Sequence, residues 1–60
     1  MYEIRETAAG ATTDAVRLVT DDITEVVNHF ASEGFNFVTD VLGVKLFDHP
    51  DGRSSLVRVI

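Results

Sequence analysis

Apolar residues Ile23, Val26, Val27, Phe30 and Ala31 recur at i, i+3, i+4, i+7 and i+8, the stripe of a helix laid on a sheet. Past Gly34 the period changes, and Phe35-Asn36-Phe37-Val38-Thr39 alternates as a strand does. The helix start has two readings. Thr20 caps it with Asp21 and Asp22 in the first turn, or Asp22 caps it with Glu25 as the reciprocal partner of a capping box. Gly34 ends it, since a left-handed helix end disfavours any residue with a β-carbon.

The flanking segments read as strands. Tyr2 and Ile4 alternate with Glu3 and Arg5, a half-buried first strand, and the small polar stretch after Ala8 is a loop. Ala15 to Val19 makes a second strand in hairpin with the first. Its alternation is imperfect, because Val16 and Leu18 share one face while Val19 falls with Arg17. Phe35 to Phe47 is strand-like but interrupted from Asp40 to Gly43. There Gly43 marks either a bulge in one bent strand or a short connection between two. His49-Pro50-Asp51-Gly52 is a tight turn, and Ser54 to Ile60 returns as the last strand.

The expected product is an α+β domain spanning residues 1–60. It has an antiparallel sheet of three to four strands and a single helix packed on one face, in ββαββ or βαββ order. Ile4, Phe35, Phe37, Leu46 and Val57 are the expected sheet side of the core, beneath Val26, Val27 and Phe30. With no second helix, the opposite face is expected to present Val38, Phe47, Leu56 and Ile60 as an interface. A homodimer through that face or a sheet edge is the expected partner.

Size and charge sharpen this picture. Sixty residues without cysteine hold one small core with no disulfide and no thiolate zinc site, which leaves oligomerisation as the available support. Ten acidic residues against five basic ones give a net charge of −5. That balance argues against nucleic-acid binding, which needs clustered Lys and Arg. Arg5, Arg17, Lys45, Arg53 and Arg58 are scattered, as outward strand charges that discourage edge aggregation are. No run approaches the ~20 apolar residues of a membrane span, and the N-terminus lacks a signal-peptide core. A cytoplasmic, complete small gene product is the expectation.

Candidate chemistry is sparse. His29 and Glu33 are spaced i, i+4 on the helix, but no third metal ligand is placed by sequence, so a weak helical pair is the simpler reading. Asp48, His49 and Asp51 cluster in a turn without the alternating acids of a calcium loop. No serine sits in a nucleophile elbow, and the four glycines are too dispersed to cradle phosphate. A non-enzymatic protein with no cofactor and no metal is expected.

The run Val27-Asn28-His29-Phe30-Ala31-Ser32-Glu33-Gly34-Phe35-Asn36-Phe37-Val38 resembles a group of short prokaryotic and phage domains of unknown function. In those, a Tyr-rich opening strand leads to a helix ending in an Ala-x-Glu-Gly-Trp-type junction and then a hairpin. Tyr2 to Arg5 and Leu56 to Val59 resemble the opening and closing strands. Phe35 stands where Trp is usual, and residues 8–19 have no counterpart. The resemblance implies a fold and no catalytic residues. Two functions therefore stand as expectations. One is a homodimeric protein-interaction module. The other is an acidic phage-type inhibitor that sets Asp21, Asp22, Glu25, Asp40 and Asp48 as phosphate surrogates against a basic groove.

Overall fold

In the computed structural model, which describes residues 1–60, the chain runs β1 (Tyr2–Thr7), β2 (Ala15–Thr20), α1 (Ile23–Glu33), β3 (Asn36–Val41), β4 (Val44–Asp48) and β5 (Ser54–Val59). All five strands form one antiparallel sheet in the order β2-β1-β5-β4-β3. The α+β class is as the sequence implies, with one strand more than expected. The extra strand arises because Leu42-Gly43 is a two-residue hairpin turn that splits the 35–47 segment, with Val41 paired to Val44. Ala15–Thr20 is a strand, and its irregular pattern has a physical cause. Arg17 is a bulged residue between the pairs Ile4–Leu18 and Arg5–Val16. One extra residue inverts the alternation, so Val16 and Val19 share a face after all.

Helix α1 begins at Asp22, whose Oδ1 accepts from the Thr24 N–H at 2.8 Å. The second half of the expected capping box is filled differently: Thr20 Oγ1, not Glu25, accepts from the Asp22 N–H at 3.1 Å. The end is a Schellman motif. Gly34 sits at φ 79°, its N–H reaches Ala31 O, and the Phe35 N–H reaches Phe30 O at 3.1 Å. The hydrophobic contact that accompanies such ends is the edge-to-face pair Phe30–Phe35, with ring centroids 5.8 Å apart.

A β-carbon at Gly34 would lie 3.5 Å from His49 Nε2, the atom that bonds Glu33 O at 2.8 Å. Gly34→Val is therefore expected to lower stability by on the order of 1 kcal/mol or more. Urea unfolding measures this, and an unchanged midpoint would remove the helix-end assignment.

A helix is ~10 Å wide and strands are ~4.8 Å apart, so one helix shields roughly two strands. Here α1 lies over β1 and β2. The apolar core is correspondingly small: Ile4, Val26, Phe30, Phe35 and Val57, with Tyr2, Leu18 and Phe47 packed against it. Three expected core residues fall elsewhere. Val27 points sideways off the helix and is 59% exposed, Phe37 is 59% exposed on β3, and Leu46 pairs with Leu56 on the back of the sheet. Phe47 takes the inner place instead. Its ring stacks on Phe30 at 3.8 Å, which removes it from the back-face interface expected above.

Candidate functional site

Pairing sorts the side chains onto two faces. Residues directly opposite one another in a sheet point the same way. The back face therefore carries Glu3 and Arg58 as one pair and Arg5 beside Leu56 as the next. Arg58 Nε donates to Glu3 Oε1 at 2.8 Å, Arg5 lies 3.5 Å from the same oxygen, and Arg5 reaches Asp14 at 3.1 Å. This ion-pair lattice runs along the central strands and is why a sheet without a second helix tolerates water there. The guanidinium of Arg5 holds the Asp14 carboxyl below the usual carboxylate range. Beside the lattice lies a hollow of about 300 Å3 containing Val38, Leu46 and Leu56. Val38 reaches it because it is bulged between the pairs Phe37–Phe47 and Thr39–Leu46. Of the expected interface residues, Val38 and Leu56 thus meet. Ile60 lies beyond the end of β5, its N–H bonded to Met1 O.

The larger opening is on the helix side. Where α1 stops covering the sheet, a groove of about 390 Å3 runs between the helix and β4–β5, and eight of its eleven lining residues are apolar. Ile23, Val26, Val27 and Phe30 form its helix wall, and Tyr2, Phe47, Val57 and Val59 its strand wall. The sequence reading placed the unpartnered apolar surface behind the sheet. The structure puts the larger one beside the helix, for the geometric reason that one helix cannot span five strands.

The groove continues to the β3–β4 turn through Gly43 and Lys45. Every residue of β3 is exposed, and its outer edge is unpaired. No Lys or Arg guards that edge. The basic residues stand instead in or beside other strands, and all five are ion-paired. On β3 only Asp40 is charged, and Lys45 Nζ meets it at 2.7 Å. That contact, helped by the Gly43 N–H at 2.9 Å, holds the Asp40 carboxyl below its ordinary range. The same N–H bond pins the turn. Leu42 there has φ 52° and is 99% exposed, the one non-glycine residue at positive φ.

The acids expected to act together are separated. Asp21, Asp22 and Glu25 gather at the start of α1 and have no cationic partner. Asp40 is neutralised by Lys45, and Asp48 pairs with Ser54 at the opposite end of the sheet from Thr20.

The histidines have structural positions. His49 Nε2 lies 2.8 Å from Glu33 O, and its Nδ1 lies 3.1 Å from the Asp51 backbone nitrogen and 2.9 Å from the Asp51 carboxylate, so the ring ties the helix end to the β4–β5 turn. In the sequence His49 is only a member of the Asp48-His49-Asp51 turn cluster; its bond to Glu33, 16 residues away in the chain, gives it this role. The backbone N–H of Arg53, then its guanidinium, lower the Asp51 carboxyl below its usual range. His29 and Glu33 do not pair. Glu33 approaches Arg53 at 3.8 Å, and His29 Nε2 is buried without a hydrogen-bond partner. No group of three metal-ligating side chains occurs. The hydroxyls of Ser32 and Ser55 donate to the carbonyls of His29 and Arg5.

No helix is long and apolar enough to cross a membrane. Comparison with protein-family models, with curated proteins and with solved structures returns no match to this chain.

Proposed function

We propose that this chain is a small non-enzymatic protein-interaction module that associates as a homodimer through its helix side. The observation that carries this reading is the apolar groove left open beside α1 and continued onto an unguarded β3 edge. Natural sheets blunt exposed edges with Lys, Pro or inward-pointing charge, and β3 has none of these in unpaired form. A core of five apolar residues also leaves a domain of this size little margin, and association is a usual remedy.

The alternative reading, an acidic inhibitor that mimics nucleic acid, has less support. Its carboxylates divide between the two ends of the sheet, and Asp40 is ion-paired with Lys45. Size-exclusion chromatography with light scattering tests the first reading. A mass near twice 6.6 kDa at micromolar concentration is expected, and a mass of 6.6 kDa throughout would end it.

A further inference from the structure

The β3–β4 turn conflicts with its own sequence. A two-residue hairpin turn with positive φ at both positions selects Asn-Gly or Asp-Gly, because a β-carbon at the first position crowds the following carbonyl. Gly43, at φ 82°, satisfies the rule, whereas Leu42, at φ 52°, does not. Leu42 also places a whole aliphatic side chain in water, at 99% exposure. Neither local conformation nor burial within this chain favours a leucine there. Such a residue is understandable where another surface covers it.

The surface with the matching chemistry begins at the next residue. Gly43 lines the apolar groove, so knob and hole adjoin on one side of the molecule. A two-fold axis passing between them places each knob in the other copy's hole, the self-complementary arrangement that a two-fold dimer requires. We propose that the groove between α1 and β4–β5 seats the β3–β4 hairpin tip of a second copy of this chain, with Leu42 of each copy entering the groove of the other. This rests on the interaction-module reading and names its partner and contact.

The exposed surface of the chain is large enough for such an occupant. A standard interface takes about 800 Å2 from each partner. That is about a fifth of the 3877 Å2 this chain exposes.

The test uses the whole chain and two substitutions. Leu42→Asn suits the turn better than leucine, so the variant is expected to fold, with an unchanged far-UV spectrum and no loss in urea midpoint. Its self-association, read by sedimentation velocity from micromolar to sub-millimolar concentration, is expected to weaken about 30-fold, the loss of an interface anchor. Val27→Arg blocks the groove from a side chain that is already 59% exposed and is expected to weaken association similarly. An equal mixture of the two variants restores one intact seat, the Leu42 of one in the groove of the other. It is therefore expected to associate more tightly than either variant alone. A wild-type dimer that Leu42→Asn leaves unchanged overturns the Leu42 seat and leaves the interaction-module reading standing. A mixture no tighter than its components also overturns the seat. A wild-type chain monomeric at every concentration overturns both.

Discussion

Phe30→Ala is expected to leave most of the chain unfolded in the absence of denaturant. Stability of about 0.05–0.15 kcal/mol per residue gives a domain of this length roughly 3–9 kcal/mol in all. Truncating a buried phenylalanine costs about 3–5 kcal/mol, from lost transfer energy and the cavity left behind. Phe30 has more than an average share of the packing here. It stacks on Phe47 at 3.8 Å and meets Phe35 edge-on at 5.8 Å. Without its ring the helix loses its link to β4, and Phe35 loses the contact that completes the Schellman end. Far-UV circular dichroism and a urea titration read the result. Val27→Ala, three residues earlier on the same apolar stripe, is the control. Val27 is exposed, so its truncation is expected to shift stability by only about 0.5 kcal/mol or less. Equal losses at the two positions would mean that the helix is rotated from the placement described.

The contrast between Val27 and Phe30 also marks what the sequence discloses. Helical periodicity identified both as apolar-face residues, and correctly so, since both point away from the polar side of α1. It could not distinguish the line that meets the sheet from the line that overhangs the groove. That depends on how many strands lie beneath, and the hairpin turn at Leu42-Gly43 that makes a fifth strand was readable only as one of two options. Gly34 was legible because a helix end is a local event. The face assignment of Leu46 and Phe47 was not. Two adjacent apolar residues give alternation no preference, and the register that decides between them is set by pairing with Phe37 and Leu56. Bulges act the same way. Arg17 and Val38 are each one residue too many for strict alternation, and nothing in their side chains announces it. The candidate groove was hidden for the same reason, since it is bounded by Ile23 from the helix and Val59 from the last strand. Leu42 was visible in the sequence but unremarkable until its backbone angle was known.

Arg17→Gln together with Arg53→Gln is expected to be the most damaging change outside the core. Glu6 follows Ile4 on the helix side of β1, and only 4% of its side chain is exposed. Its Oε2 lies 3.0 Å from Arg17 and 3.7 Å from Arg53, so its charge is balanced from two directions. Either arginine alone leaves a cation beside the carboxylate. Removing both strands a buried negative charge, which costs about 3 kcal/mol because the desolvation remains and the attraction is gone. The double loss is therefore expected to exceed the sum of the single ones, as it does for residues sharing one partner. Adding Glu6→Gln to the double variant removes the stranded charge, and most of the stability is expected to return. Urea unfolding of the two single variants, the double and the triple measures each step. Arg53 also bonds Asp51 at 2.8 Å and lies 5.1 Å over the Phe35 ring, contacts that Glu6→Gln leaves broken. If the triple variant stays as unstable as the double, those contacts are the source of the loss. Arg53 would then serve the β4–β5 turn rather than the buried carboxylate.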